Sequence, residues 1–193
     1  MNKANQSLKI AIIVGSTRPG RKADTVAKWV YDIVKKRNIP QSEFEIVDIE
    51  SFNLPLLDEP IPPSMEQYSK PHTKAWSNKI SSFDGFIFVT PEYNHGVPAA
   101  LKNSIDYLYK EWNNKAAAFV SYGSAGGARS VEVMRLVMAE CQVATVRAQV
   151  MLSLFTDFEN FTTFKPSPHH EKSVITMTEQ LLKWTLAMKS IRT

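Results

Sequence analysis

Five runs of apolar, often β-branched residues recur along the chain, and segments with helical spacing lie between several of them. The apolar runs cover residues 8–14, 43–49, 84–90, 115–122 and 142–152. The segments with a helical apolar period cover residues 24–36, 97–109 and 128–140. Strands that alternate with helices are joined by right-handed crossovers and so form a parallel sheet. The pattern therefore predicts a doubly wound, three-layer α/β sandwich.

The runs differ in how strictly they alternate, and this predicts their places in the sheet. The first, third and fourth runs are almost continuously apolar, which is typical of central strands buried on both faces. The last run alternates: one side carries Val146, Ala148, Val150 and Leu152, and the other carries Thr145, Arg147 and Gln149. This alternation indicates an edge strand or a half-covered strand.

The length and the charge of the chain limit its class. A chain of 193 residues, 44% of them hydrophobic, is long enough for one well-buried core and short for two. We therefore expect residues 1–193 to form a single domain. The net charge of +4 is scattered, and the cluster Lys35, Lys36 and Arg37 falls where a helix should end. Nothing in this distribution favours nucleic acid as a partner.

The cysteine content and the N-terminal residues bear on the cellular compartment. The single cysteine, Cys141, excludes an internal disulfide framework and follows an apolar helical stretch, so we expect a buried thiol and not a nucleophile. The N-terminal MNKANQS is polar and too short for a secretory signal, and no apolar run reaches membrane-spanning length. The sequence predicts a cytoplasmic protein without a membrane partner.

The segment GSTRPGRK follows the first apolar run and has the chemistry of a phosphate-binding loop. Ser16 and Thr17 supply hydroxyl and backbone N–H groups, and a helix predicted to begin near residues 19–20 directs its positive end towards the loop. Arg18 and Arg21 offer charge-assisted bonds to phosphate oxygens. Two alternatives stay open: an ordinary strand-to-helix turn, and arginines engaged in surface ion pairs.

A nucleoside triphosphate and a dinucleotide both fit this loop poorly. Gly20 is followed by Arg21 and Lys22, not by the Lys and the Ser or Thr that hold a triphosphate and Mg²⁺. Asp84 opens its strand and so lies at the wrong end of the sheet for a metal site, and the Gly-x-Gly-x-x-Gly pattern is absent. The histidines at 169–170 lack further metal ligands at suitable spacing. The sequence favours a monophosphate bound without a metal ion.

Two further glycine-containing loops follow the third and fourth apolar runs. The loop PEYNHG presents several backbone N–H groups beside the flat ring of Tyr93, which suits a planar heterocycle with acceptors along one edge. The loop SYGSAGGARS adds Tyr122 and a glycine run through which the backbone can approach a ligand closely. In open α/β sheets, ligands bind at this carboxyl end of the strands. The three loops together predict one site.

With these three motifs, the chain resembles the NADPH-dependent FMN reductase family of flavodoxin-like proteins, which includes quinone, azo-dye and chromate reductases. The resemblance covers residues from about 10 to about 151 and rests on GSTRPGR, PEYNHGVPAALKNSIDYL and FVSYGSAGG, in that order. It implies a flavodoxin-like sandwich whose five-stranded parallel sheet has the order 2-1-3-4-5. The loops after strands one, three and four would then lie side by side in one FMN-binding domain.

The resemblance also implies roles for residues of the three loops. The first would hold the FMN phosphate, the second would line the isoalloxazine mostly through its main chain, and the third would approach the other edge of the ring. The residues concerned are Gly15, Ser16, Thr17, Arg18 and Arg21, then Pro91, Glu92, Tyr93, Asn94, His95 and Gly96, then Tyr122, Gly123 and Ser124. It implies neither a catalytic acid or base nor a metal ligand.

Two departures from the family pattern lie in the second half of the chain. Ser124 and Ala125 precede Gly126 where relatives often have a more glycine-rich motif, and no family motif matches from Ser153 onward. The stretch 156–170 is rich in aromatic residues without a clear period, and the proline-rich stretch 52–71 is similarly irregular. Either is expected to be a lid, a subunit contact or an ordered surface excursion.

The function that the resemblance implies is hydride transfer from NADPH or NADH, through bound FMN, to a quinone or a similar small acceptor. Family members commonly form homodimers or homotetramers, and the same is expected here. A flavodoxin-type electron carrier is the main alternative, but the sequence pI of about 9.1 is unlike that of the acidic surface that docking to basic redox partners requires. A redox-sensing, flavin-binding interaction protein is a third hypothesis.

Overall fold

The computed structural model describes residues 7–192. Residues 1–6, which make up most of the polar stretch judged too short for a secretory signal, lie outside the described part. The strands are β1 (Leu8–Val14), β2 (Ser42–Asp48), β3 (Gly85–Pro91), β4 (Lys115–Gly123), β5 (Val143–Ser153), β6 (Phe158–Glu159) and β7 (Thr163–Phe164). The α-helices are α1 (Ala23–Arg37), α2 (Pro71–Ser81), α3 (Ala99–Asp106), α4 (Ala128–Glu140) and α5 (His169–Lys189).

The main sheet has the predicted topology. Strands β1 to β5 are all parallel and lie in the order 2-1-3-4-5, while β6 and β7 form a separate antiparallel hairpin. Every residue of β3 and β4 is buried. The prediction of central strands covered on both faces is therefore confirmed for both, as their continuous apolar character indicates.

Two separate hydrophobic cores lie on the two faces of the sheet. Side chains that alternate along β1 divide between them: Ile10, Ile12 and Val14 face α1 and α5, whereas Ala11 and Ile13 face the layer of α2, α3 and α4. This second core contains a group of fully buried aromatic rings, namely Trp76, Phe86, Phe88, Trp112 and Phe119. Helices on both faces of a parallel sheet complete the three predicted layers.

Strand β5 forms one edge of the sheet, as its alternation predicts. Val146, Val150 and Leu152 are buried, while Arg147 and Met151 are exposed. The register with β4 shifts between Ala117 and Phe119, so β5 carries extra residues there. Such an irregularity twists an edge strand and limits further pairing along it.

Some predicted boundaries are wrong for local reasons. Helix α1 begins at Ala23, not near residues 19–20, because Gly20 takes a left-handed φ of 70° and the Arg21 N–H bonds to the Arg18 carbonyl in a turn. Helix α3 is shorter than the predicted 97–109. Helices α2 and α5 were not predicted at all.

The proline-rich segment before α2 is an ordered surface excursion. The Asn103 side chain bonds the Pro55 carbonyl at 2.6 Å and the Leu57 N–H at 2.9 Å, which ties the segment to α3. The Glu59 carboxylate accepts the N–H groups of Ser69 and Lys70 at the start of α2, each at 2.9 Å. Burial opposes ionisation of Glu59, but these bonds lower its pKa to about 2.

Over residues 7–192, no helix combines the length and the apolar character that a membrane span requires.

Cys141 is buried, and burial raises the pKa of its thiol to about 11, so it is not a reactive thiolate near neutral pH.

A buried lysine lies at the end of the sheet opposite the three loops. Lys115 opens β4 and is only 5% exposed; its Nζ donates to the Ile80 carbonyl at the end of α2 at 3.0 Å and lies 5.4 Å from the centre of the Phe86 ring. Burial, reinforced by the charge of Arg192, lowers the pKa of Lys115 from 10.5 to about 7.

This pKa predicts a pH-dependent stability. Between about pH 7 and 10.5 the unfolded chain holds a proton at Lys115 that the folded protein releases, so this residue makes the folded state more stable as pH rises. Replacement by methionine, Lys115→Met, removes the titrating group. The free energy of unfolding of the wild type minus that of the variant should increase by up to about 1.4 kcal/mol per pH unit in this window. Urea denaturation at pH 7, 8 and 9 measures the difference, and a constant difference would contradict the account.

Candidate functional site

The loops after β1, β3 and β4 meet at the carboxyl end of the sheet and border one cavity. Its volume is about 370 Å³, within the range of small-molecule and cofactor sites. The residues that line it are Arg18, Pro19, Gly20, Arg21, Lys22, Pro91, Glu92, Tyr93, Tyr122, Gly123, Leu154, Phe161 and Thr162. The strand order places β1 next to β3, where successive connections leave the sheet in opposite directions, and this is where α/β sheets bind ligands.

The first loop presents backbone donors without protein acceptors. Within residues 7–192, the N–H groups of Ser16, Thr17 and Gly20 make no hydrogen bond. An added Cβ at Gly20 would meet nothing within 4 Å, so the backbone there is open to an approaching ligand. Arg18 is exposed, with its guanidinium carbon 5.9 Å from the centre of the Tyr93 ring. The loop can therefore offer N–H groups and the unpaired charge of Arg18 to an anion.

The other arginine of the loop is already engaged. The Arg21 guanidinium bonds Asp48 Oδ1 at 3.0 Å and Glu50 Oε2 at 2.8 Å, and it donates to the Ser16 carbonyl at 2.6 Å. Arg21 thus fixes the loop against the end of β2, and its charge is balanced by two carboxylates. Of the two arginines predicted to hold phosphate, Arg18 is the one whose charge is unpaired, since the structure gives it no carboxylate partner among residues 7–192.

The second loop contains a tight turn with free donors at its tip. Tyr93 and Gly96 exchange two backbone hydrogen bonds, of 3.1 and 3.0 Å, and the residues between them, Asn94 and His95, have φ values of 49° and 64°. The N–H groups of Asn94 and His95 find no acceptor within residues 7–192. The Tyr93 hydroxyl lies 3.1 Å from Ser16 Oγ and so joins this loop to the first.

Glu92 links the second loop to the third by its side chain. Its carboxylate accepts the backbone N–H of Arg129 at 3.1 Å and the Arg129 Nε at 2.6 Å, at the start of α4. Burial alone would raise the pKa of Glu92, but Arg129 and the Ser130 N–H lower it. Its own N–H donates to the Tyr122 carbonyl at 3.1 Å. Glu92 is therefore an ionised cap that holds the two loops together, and its main-chain donor is not free.

The third loop is built largely for internal packing. Tyr122 is 6% exposed, and the centre of its ring lies 5.9 Å from that of Phe158. Gly127 has a φ of 72°, and a Cβ there would lie 2.7 Å from the Ser121 Cβ, so glycine allows α4 to begin directly against β4. The glycine run thus brings the backbone close to its own strand. Ser124 is exposed and does not line the cavity.

The predicted site residues fall into two groups. Those that line the cavity are Arg18, Arg21, Pro91, Glu92, Tyr93, Tyr122 and Gly123. Those that do not are Gly15, Ser16, Thr17, Asn94, His95, Gly96 and Ser124. Gly15 packs against Leu101 and bonds the Val89 carbonyl, and Thr17 borders a neighbouring cleft of about 210 Å³ beside the residues after β2.

Six lining residues were not predicted as site residues. Pro19, Gly20 and Lys22 lie within the first loop, between or beside predicted residues. Leu154, Phe161 and Thr162 belong to the segment between β5 and α5, where no family motif matches. The one available signal was the density of aromatic residues in that segment. Nothing in its sequence placed it at the cavity.

The donor set fits FMN. Arg18 and the free Gly20 N–H line the cavity and, with the free N–H groups of Ser16 and Thr17 in the same loop, match a single terminal phosphate. The free N–H groups of Asn94 and His95, directly after the lining residue Tyr93, match acceptors along the edge of a flat ring. No group of three or more His, Cys, Asp or Glu residues that could hold a metal ion occurs in residues 7–192.

Comparison with known proteins identifies the family. The model of the NADPH-dependent FMN reductase family matches residues 8–157. An NAD(P)H-dependent FMN reductase of Nectria sp is 42% identical over 157 residues, which cover 77% of this chain and 78% of that protein. An NAD(P)H-dependent FMN reductase of Schizosaccharomyces pombe is 47% identical over 121 residues, or 62% of this chain and 60% of that protein.

A solved structure supports the fold. The flavoenzyme NAD(P)H:(acceptor) oxidoreductase FerB of Paracoccus denitrificans superimposes with a TM-score of 0.69 at 18% identity, over 91% of this chain and 98% of that one. The family implied by the three motifs is confirmed by the match over residues 8–157. The chain belongs to the NADPH-dependent FMN reductase family and is a flavin-dependent NAD(P)H oxidoreductase.

Proposed function

We propose that the protein transfers two electrons from NADPH or NADH to a quinone or a similar small acceptor, through FMN held in the cavity at the carboxyl end of the sheet. The balanced reaction is NAD(P)H, one proton and a quinone giving NAD(P)⁺ and the hydroquinone. The proposal rests mainly on the uncompensated Arg18 and the free Gly20 N–H, which line the cavity. The free donors of Asn94 and His95 follow directly after the lining residue Tyr93.

The chain's own residues would bind and orient the cofactor. The N–H groups of Ser16 and Thr17 and the Arg18 guanidinium would hold the phosphate. The N–H groups of Asn94 and His95 would face the polar edge of the ring, where their dipoles favour developing negative charge. FMN, when bound, supplies the hydride chemistry itself. The protein accordingly needs no acid–base pair of its own, and the Glu92 carboxylate is engaged with Arg129 as a cap.

Two further features are part of the proposal. We infer a cytoplasmic protein whose residues 1–193 form one FMN-binding domain, and a homodimer or homotetramer in solution. The exposed Leu56 and Leu57, on the ordered segment before α2, offer an apolar surface for such contacts. Tyr107 and Trp112 are fully buried and belong to the core, so they cannot supply one. Light scattering after size-exclusion chromatography measures the assembly, and a monomer at micromolar concentration would contradict it.

Anaerobic titration tests the function directly. NADPH or NADH added to the FMN-loaded protein should bleach the visible flavin absorption, and a quinone added next should restore it. This is expected because a reductase takes electrons from the nicotinamide without a protein partner. Absence of bleaching unless a partner protein is supplied would favour an electron carrier instead.

The two arginines should differ in a matched pair of variants. Arg18→Ala removes a charge that is free to bind phosphate, so the Kd for FMN should rise roughly tenfold or more while thermal stability stays within about 2 °C of the wild type. Arg21→Ala breaks the contacts with Asp48, Glu50 and Ser16, so it should lower thermal stability as well. Flavin fluorescence quenching gives the Kd. An FMN affinity unchanged in Arg18→Ala would remove Arg18 from the phosphate site.

A further inference from the structure

The hairpin β6–β7 lies between β5 and α5 and reaches the cavity with its tip. It begins at Phe158, directly after the segment that matches the family model, residues 8–157. The turn at the tip is closed by a 3.0 Å bond from the Thr162 N–H to the Glu159 carbonyl. Its two central residues, Asn160 and Phe161, have φ values of 49° and 57°.

The conformation at Phe161 is unfavourable for its side chain. A turn with two positive φ values is the type that strongly favours Asn followed by Gly, because only glycine adopts the second conformation without steric cost. A bulky residue with positive φ is uncommon and persists where the surroundings impose it, often at functional sites. In this chain the first of the two positions is Asn160, as this turn type favours, but the second is Phe161 and not a glycine.

The base of the hairpin is firmly attached and does not need the ring at the tip. The Phe158 ring lies 5.1 Å from that of Phe164, which meets Trp29 of α1 edge-to-face at 5.5 Å. The Asp157 carboxylate, 1% exposed, accepts the N–H groups of Ser153 at 2.9 Å and Ser167 at 3.0 Å, on either side of the hairpin. The base of the hairpin is therefore held in place by contacts that do not involve its tip.

At the tip, an apolar surface is open to solvent at the edge of the cavity. Phe161 lines the cavity but is 58% exposed, and the neighbouring Phe155 is 68% exposed and lies outside the lining. Their ring centres are 5.6 Å apart at an interplanar angle of 85°. Two exposed aromatic rings in contact extend from the wall of the cavity to the outer surface.

We propose that Phe161, supported by Phe155, is a specificity-determining residue: it forms the surface against which a planar aromatic acceptor stacks at the mouth of the cavity. The unfavourable turn is kept because it holds this ring at the mouth. Aromatic rings stack on flat apolar molecules, whereas a small hydrated inorganic anion gains no such contact from them. The inference rests on the proposed reductase function.

The test compares two acceptors with the FMN-loaded protein. Menadione is the planar aromatic acceptor, reduced by two electrons and two protons to its hydroquinone, and ferricyanide is the small inorganic one, of which two ions are reduced per NADPH. In Phe161→Gly the ratio of kcat/KM for menadione to that for ferricyanide should fall roughly threefold to tenfold. Phe161→Tyr, which keeps the ring, should stay within about twofold of the wild type.

Two controls test whether Phe161 has only a structural role: the Tm of Phe161→Gly and a variant at another exposed apolar residue. Phe161→Gly relieves the turn, so its Tm should equal that of the wild type or exceed it by about 1–3 °C. Leu136→Ala removes a 75% exposed apolar side chain on α4 and should leave the ratio unchanged.

Three outcomes separate the possible failures. An unchanged kcat/KM ratio in Phe161→Gly overturns this inference and leaves the proposed function standing. An equal fall in kcat/KM for both acceptors, together with faster release of FMN, also overturns the inference and makes Phe161 a cofactor contact. If the wild type reduces neither acceptor with NADPH, the proposed function itself fails.

Discussion

The burial of a parallel sheet on both faces constrains everything else in this protein. Because β3 and β4 are fully covered, a polar ligand can reach the backbone only at the ends of the strands, and parallel strands place all their carboxyl ends at one edge. Three loops far apart in sequence are thereby brought together. Polar contacts then fix them to one another: Ser16 to Tyr93, and Glu92 both to Arg129 and to the Tyr122 carbonyl.

Much of the fold and the location of the site could be predicted because their signals are local. Continuous apolar runs identified β3 and β4, alternation identified the edge strand β5, and glycines after strands marked the loops of the binding edge. The strand order followed from the resemblance carried by the three motifs, not from periodicity. The long helix α5 was not predicted although its buried residues, such as Val174 and Leu181, follow a helical period, because no motif marks the chain from Ser153 onward.

The roles of individual side chains could not be predicted, because they depend on neighbours that are distant in the chain. Arg21 was assigned to phosphate, and only the fold shows that the end of β2 brings Asp48 and Glu50 against it. Glu92 caps a helix that begins 36 residues later, at Ala128. Phe161 takes a backbone conformation that its residue type disfavours, so no local propensity could place its ring at the cavity.

We propose that the first loop would hold one terminal phosphate with backbone N–H groups and the Arg18 guanidinium, without a metal ion. The most direct measurement compares the affinities for FMN and for riboflavin, which lacks the phosphate, with and without EDTA. The account predicts that FMN binds roughly a hundredfold more tightly than riboflavin, and that EDTA changes neither value. Equal affinities for the two flavins, or a loss of FMN binding in EDTA, would contradict it.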